Sequence, residues 1–129
     1  MRAWIGKSII FIGIVHSVFG TAVYSDEIAG MFSNGVFDTV DGHVDRTIAF
    51  WFLFFGFTAI IAGSLADWCE RRFRKLPGFF GVLLLLMASA FVVLMPVSGA
   101  WLLFVPAVAT ILRSIAADIK DKVDGLLKT

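Results

Sequence analysis

The sequence predicts an all-α membrane protein: a bundle of four transmembrane helices with both termini in the cytoplasm. Short interfacial helices in the outer loop and an amphipathic C-terminal helix complete the prediction. Hydrophobic residues make up 59% of the 129 residues and the mean hydropathy is +0.90. A chain this short cannot bury so much apolar surface within itself. The charged residues also cluster between long uncharged runs, which is typical of membrane spans separated by loops.

The predicted spans each approach the ~20 apolar residues that a membrane helix needs. They cover residues 4–24, 47–66, 78–95 and 97–116 within a single membrane domain, residues 1–129. The first span has a basic start like a signal peptide, but its long apolar run contains a histidine and lacks a clear cleavage site. We therefore expect it to be retained.

The separation of the last two spans depends on Pro96. Proline cannot continue the helical hydrogen-bond ladder, so the stretch Met95-Pro96-Val97-Ser98-Gly99 predicts a tight turn between antiparallel helices. One unbroken helix over both spans would be too long for a single crossing.

The orientation follows from the positive-inside rule. With the N-terminus inside, the only basic residue outside is Arg46. The inner segments then hold ten basic residues: Arg2, Lys7, Arg71, Arg72, Arg74, Lys75, Arg113, Lys120, Lys122 and Lys128. We therefore expect the bacterial cytoplasmic (inner) membrane, with both ends cytoplasmic.

Three segments lie outside the predicted spans. The outer loop, residues 25–46, has helical spacing of apolar residues and a predicted break at Ser33-Asn34-Gly35. A cytoplasmic loop covers residues 67–77. The tail, residues 117–129, carries an apolar stripe that starts at Ile115, which fits either a helix on the membrane surface or a docking helix for a partner protein.

Small residues recur on one face of the first and second spans, where they allow helices to approach closely. These packing candidates are Gly6, Gly13, Gly20, Gly56 and Gly63. His16 shares the glycine face of the first span, so we expect it to point at other helices.

His16 is the leading candidate for chemistry, because ionisable groups within a span are costly and often functional. Ser17 and Trp51 are the further candidates for a ligand site or proton relay. The alternative is a neutral histidine bonded to a neighbouring helix. No cofactor is expected; haem on His16 is the weaker alternative, and its second ligand could only be His43 in the outer loop.

A polar cluster precedes the second span, at Asp41, His43, Asp45 and Arg46. The Asp-x-His-x-Asp spacing suggests metal binding, but it lacks the paired Cys and His residues of zinc sites. We interpret it as a solvated turn at a helix N-terminus and expect no metal and no catalytic residue. The net charge of +1 gives no reason to expect nucleic acid as a partner.

Three stretches resemble a family of small bacterial four-helix membrane proteins of unknown function. They are Gly13-Ile-Val-His-Ser-Val-Phe-Gly20, Ala49-Phe-Trp-Phe-Leu-Phe-Phe-Gly56 and Leu94-Met-Pro-Val-Ser-Gly99. The chain is also distantly similar to DoxX-like proteins. The resemblance implies an inner-membrane helical bundle, and it implies no activity, substrate or cofactor.

The leading functional hypothesis is a module that binds or transports a small molecule or lipid within the bundle near His16. The second is an accessory subunit that docks other membrane proteins through its glycine faces and tail. An enzyme ranks last, because no nucleophile–base pair or carboxylate pair is recognisable within the spans. Membrane lipids are expected partners, and four short helices enclose so little volume that a transporter of this length would form a homo-oligomer.

Overall fold

The all-α class is confirmed. The computed structural model describes residues 3–127, in which every regular element is helical. Arg2 and Lys128 from the predicted inner basic residues, and residues 128–129 of the predicted tail, lie outside the described residues. The elements are α1 (Ile5–Val23), α2 (Ser25–Ser33), α3 (Val44–Phe73), α4 (Gly78–Leu94), a short 3-10 helix (Gly99–Leu103) and α5 (Phe104–Leu126).

Within residues 3–127, three helical stretches are long and apolar enough to cross a membrane: Ile5–Val23, Val44–Phe73 and Gly99–Leu126. The apolar α4 is shorter, at 17 residues, so the count of four spans stays a prediction. Large apolar side chains cover the outside of these helices, such as Phe11 at 64% exposed and Ile61 at 70%. An outer surface of this kind is compatible with an integral membrane protein.

The outer loop contains one short helix, α2, which follows α1 after the single residue Tyr24. It ends at Ser33, within the predicted break. The chain then turns through Gly35 and Gly42, whose φ angles of 90° and 81° favour glycine. α3 begins at Val44, close to the predicted start of the second span.

The predicted cytoplasmic loop 67–77 is largely helical in the structure. α3 continues to Phe73 and ends at Arg74, which adopts a left-handed conformation with a φ of 57°. Only residues 74–77 connect it to α4. Glu70 therefore belongs to a helix, and it is turned inward against the first turn of α1; the sequence pattern of a charged loop does not reveal this contact.

The fourth predicted span begins as a 3-10 helix and not as an α-helix. Ser98 precedes it, and its Oγ accepts a hydrogen bond from the backbone N–H of Ala100. Pro106 is the third residue of α5, in its first turn, where proline is tolerated because the first N–H groups of an α-helix lack partners within that helix. α5 then continues to Leu126, so predicted span 97–116 and most of predicted tail 117–129 share one continuous helix.

The closest packing joins α1 and α3, which are antiparallel. A Cβ atom at Gly13 would lie 2.9 Å from the carbonyl oxygen of Gly56, and one at Gly63 would lie 2.9 Å from that of Gly6. At Gly20 the neighbour is the ring of Phe52, 2.6 Å from the Cβ position. These glycines let two backbones approach to a distance that any side chain would prevent.

The second hairpin consists of α4 and α5, where Gly81 meets the carbonyl oxygen of Ala107 in the same way. A small apolar core joins the two hairpins near the end of the bundle that holds the N-terminus. Its fully buried side chains include Ile5 and Ile9 of α1 and Ala107 of α5.

The α1–α3 packing predicts the effect of adding one methyl group. Gly63→Ala should lower the free energy of unfolding by about 1–3 kcal/mol, because the new Cβ would lie 2.7 Å from the backbone nitrogen of Ile10. The matched control is Gly125→Ala, where nothing lies within 4 Å. Thermal unfolding in detergent measures both, and equal midpoints for the two variants would contradict the close approach.

Candidate functional site

His16 of α1 is packed against the middle of α3. Its ring stacks on Phe52, with 4.0 Å between ring centroids and 13° between the planes, and meets the edge of Phe55 at 5.2 Å. Nε2 lies 3.0 Å from the backbone carbonyl oxygen of Phe52. A carbonyl oxygen only accepts hydrogen bonds, so Nε2 carries the proton and donates it.

This contact depends on the glycine one turn further along α3. A Cβ at Gly56 would overlap Ser17 Oγ and would lie 3.2 Å from His16 Cδ2. Because Gly56 leaves that space open, the imidazole can reach the carbonyl of Phe52. The arrangement joins a polar side chain of one helix to the backbone of its neighbour, as the packing interpretation of His16 expects.

The other two residues proposed beside His16 differ in their placement. Ser17 Oγ is buried against Gly56, and no hydrogen-bond partner for it occurs within residues 3–127. Trp51 is 61% exposed and packs on Phe50 and Phe54, on another face of α3. The structure therefore places Phe52, and not Trp51, against His16.

Phe52 and Phe55 were not predicted as partners of His16. Phe52 lies four residues before Gly56, on the small-residue face of α3, and this spacing could have identified it. Phe55 also meets Phe91 of α4, with 5.3 Å between ring centroids. The His16 ring thus begins a row of aromatic contacts that links three helices.

In the structure, the four residues of the outer polar cluster do not form a single site. Asp41, His43 and Asp45 are exposed, while Arg46 turns back into the loop and donates from Nη1 to the carbonyl oxygen of Thr39 at 3.0 Å. With its amide oxygen turned towards this guanidinium, Asn34 accepts from Nη2 at 2.8 Å. Arg46 therefore holds the loop together.

No group of three or more His, Cys, Asp or Glu residues that could hold a metal ion occurs within residues 3–127. His43 lies at the start of α3, roughly 13 Å along the helix axis from the Phe52 backbone that His16 contacts. The structure does not bring the two histidines together as axial ligands of one haem.

A second polar contact, not anticipated from the sequence, lies at the N-terminal end of α1. The first N–H groups of a helix lack partners within it, and Trp4 provides no side-chain cap. Glu70 of α3, only 7% exposed, supplies the acceptor: its Oε2 receives the backbone N–H of Gly6 at 2.9 Å. Its carboxylate also lies where the positive end of the helix dipole favours an anion.

The other oxygen of Glu70 joins this contact to α5. Oε1 accepts from Arg113 Nη1 at 2.9 Å. The guanidinium also lies over the ring of Trp4, 5.4 Å from its centroid. One buried carboxylate thus fixes the ends of α1 and α3 to α5.

An open groove runs along the outside of the bundle between α1 and α5. It encloses about 390 Å³. One wall consists of Trp4, which precedes α1, and of Lys7, Ser8, Phe11 and Ile12 from α1. The other wall consists of Leu102 from the 3-10 helix and of Val105 and Pro106 from α5.

Lys7 is the one charged side chain among the residues that line this groove. The ion pairs within residues 3–127 join Arg71 to Asp67 and Arg113 to Glu70, so no described carboxylate pairs with Lys7. The groove therefore offers an apolar channel with an unneutralised ammonium group at the end where α1 begins.

Comparison with known proteins identifies a family. Residues 1–117 match the model of a family of unknown function, DUF6463. The chain belongs to this family. No curated protein and no solved structure matches it. Membership confirms the predicted relation to a family without an assigned activity, while the similarity to DoxX-like proteins stays a prediction.

The Glu70 contact predicts an asymmetric response to substitution. Glu70→Ala should lower the free energy of unfolding by about 3 kcal/mol, because it leaves Arg113 without its carboxylate and the Gly6 N–H without its acceptor. The double variant Glu70→Leu/Arg113→Leu should regain part of this loss, since no unpaired charge remains. Unfolding midpoints of Glu70→Leu, Arg113→Leu and the double variant measure the coupling, and strictly additive losses would contradict it.

Proposed function

We propose that the protein is an integral protein of the bacterial cytoplasmic membrane, with four spans and cytoplasmic ends, that binds an anionic lipid. The site is the groove between α1 and α5. The observation that carries the proposal is the pairing of an apolar channel with the ammonium group of Lys7. An acyl chain matches the channel, and a phosphate matches the cation.

The depth of the site supports a lipid in the cytoplasmic leaflet. Lys7 lies within the first two turns of α1, near Trp4 and the Glu70–Arg113 pair. The positive-inside rule assigns this end to the cytoplasmic side, and tryptophan and arginine side chains favour that interface. From there the groove extends along Phe11 towards Leu102, into the depth that acyl chains occupy.

The size of the groove is consistent with this ligand class. Sites for small molecules enclose about 300–1,000 Å³, and the 390 Å³ of the groove lies at the lower end of that range. The groove is open along its side, which suits a ligand that enters from the bilayer. This geometry supports binding; transport would need a path through the bundle in addition.

His16 has a different role in this proposal from the one expected at first. Its Nε2 is already bonded to the Phe52 carbonyl, and its ring is stacked between helices. We infer that it fastens α1 to α3 and stabilises this pair of helices. It has no part in the groove and does not touch the lipid.

The accessory-subunit hypothesis is less well supported through the glycine faces. Gly13, Gly56 and Gly63 pack within the chain itself, so these faces are not available to another protein. A docking role would have to use a different surface.

Charge removal at the groove tests the lipid proposal. Lys7→Gln should reduce the retention of phosphatidylglycerol relative to phosphatidylcholine about fivefold, because one lysine near an anionic surface contributes about 1 kcal/mol. Native mass spectrometry of the protein, purified with an equimolar mixture of the two lipids, measures the ratio. Lys122→Gln is the matched control, since it removes the same charge from the exposed end of α5.

A second variant separates the headgroup from the acyl chain. Val105→Trp should fill the channel and reduce retention of both lipids, because Val105 lines the groove and is 58% exposed. Unchanged lipid retention in both Lys7→Gln and Val105→Trp would refute the site.

His16→Leu should separate the packing of α1 on α3 from the binding of lipid. Loss of the hydrogen bond to Phe52 should lower the free energy of unfolding by about 1 kcal/mol, the usual size of such an interaction between membrane helices. The phosphatidylglycerol ratio should not change. His43→Leu, at an exposed histidine, is the control for stability. A selective loss of phosphatidylglycerol in His16→Leu would indicate that the lipid site includes His16.

A further inference from the structure

The C-terminal part of α5 extends beyond the bundle as a continuous helix. The helical stretch Gly99–Leu126 has 28 residues, which correspond to roughly 40 Å, whereas the hydrocarbon core of a bilayer is ~30 Å thick. Arg113 still contacts α3 through Glu70. From residue 118 to residue 127 every residue is exposed, so this part leaves the other helices.

This projecting segment carries an apolar stripe on one side. Ile119 is 58% exposed and Val123 is 48% exposed. Ala116 and Leu126 extend the stripe in both directions with alternating steps of three and four residues. That spacing is the heptad pattern of a two-stranded coiled coil, in which Ala116 and Val123 take the a positions and Ile119 and Leu126 take the d positions.

The continuity of α5 decides against a helix that lies flat on the membrane. A surface helix would need a bend after Arg113, yet α5 is regular from Phe104 to Leu126. The stripe is therefore carried out of the hydrocarbon layer. Exposed Ile119 and Val123 side chains in water gain stability when another surface covers them.

We propose that residues 116–126 pair with the same residues of a second copy of this chain, as a short parallel coiled coil. Copies inserted in the same orientation project their tails on the same side of the membrane, in parallel and in register. At the C-terminal end of the stripe, Val123 at the a position and Leu126 at the d position are the combination that favours two strands.

The flanking charges are compatible with this pairing. In a parallel dimer the g position of one helix faces the following e position of the other. These pairs are Ile115 with Lys120 and Lys122 with Leu127, so no two like charges face each other across the pair. The carboxylates of Asp118, Asp121 and Asp124 occupy the outward c, f and b positions, respectively.

A segment of 11 residues, about one and a half heptads, forms a weak coiled coil in free solution. Confinement of both copies to one membrane raises their effective concentration, which strengthens such a contact without any new interaction. The inference is independent of the lipid site, because its residues line no part of the groove.

Site-directed cross-linking in the full chain tests the proposal. In a Cys69→Ser background, single cysteines are introduced as Ile119→Cys and Val123→Cys on the stripe and as Asp121→Cys and Asp124→Cys on the polar side. The proteins are reconstituted in phosphatidylcholine vesicles and oxidised mildly. We expect disulfide-linked dimer from the two stripe positions at a yield at least fivefold above that from the two polar positions.

A disruptive variant provides the second measurement. Ile119→Glu/Val123→Glu should abolish dimer in native mass spectra while the monomer remains folded, since both positions lie outside the bundle. Equal cross-linking at all four positions, or a dimer that survives the double substitution, would overturn the proposal. Stripe cysteines that neither cross-link nor react with a water-soluble maleimide would show that the membrane covers them, which also overturns it.

Discussion

The backbones of α1 and α3 touch where both helices lack side chains, and the other contacts of the bundle depend on this approach. In a bilayer, apolar side chains gain little by leaving lipid for another helix, so close van der Waals packing and interhelical hydrogen bonds hold helices together. Gly13 facing Gly56 and Gly6 facing Gly63 supply the packing. The same short separation brings the side chains of one helix within reach of the backbone of the other.

Two polar side chains form hydrogen bonds across this short separation, each with the backbone of the other helix. Near the middle of the pair, His16 of α1 donates to a carbonyl of α3. At one end, Glu70 of α3 accepts from an N–H of α1. A buried polar group without a partner would cost several kcal/mol in a dry environment. Each of these two hydrogen bonds removes that cost and also joins α1 to α3 at a defined position. The Glu70 contact also extends to Arg113, and through it the first hairpin is tied to the second.

The parts of this fold that could be predicted from the sequence are those that depend on periodicity. The apolar runs, the glycines every seven residues and the Pro96 turn predicted the helices and the packed face of α1. The role of Glu70 could not be predicted, because a carboxylate among arginines at the end of an apolar run is typical of a solvated loop. Its inward position depends on the α1–α3 distance, a tertiary quantity. Likewise His16 was recognised as inward-facing from its spacing, but its acceptor is a backbone carbonyl, which leaves no trace in the residue types.

The groove differs from the rest of the bundle because its walls are mainly apolar and hold a single charged side chain, that of Lys7. Arg113 has Glu70, Arg71 has Asp67, and Arg46 has the carbonyl of Thr39. Lys7, on the apolar surface of α1, has no described carboxylate beside it, and its surroundings are the apolar walls of a groove. A lysine can extend its ammonium group to the interface, but its stem then lies along the channel that an acyl chain would fill. A phosphate bound there would neutralise the one charge that the protein leaves unpaired in this groove, and the lipid tail would cover Phe11 and Val105. Under this proposal a lipid would complete the packing along the groove between α1 and α5, which is why the groove, and not the tightly packed His16, is the place to look for function.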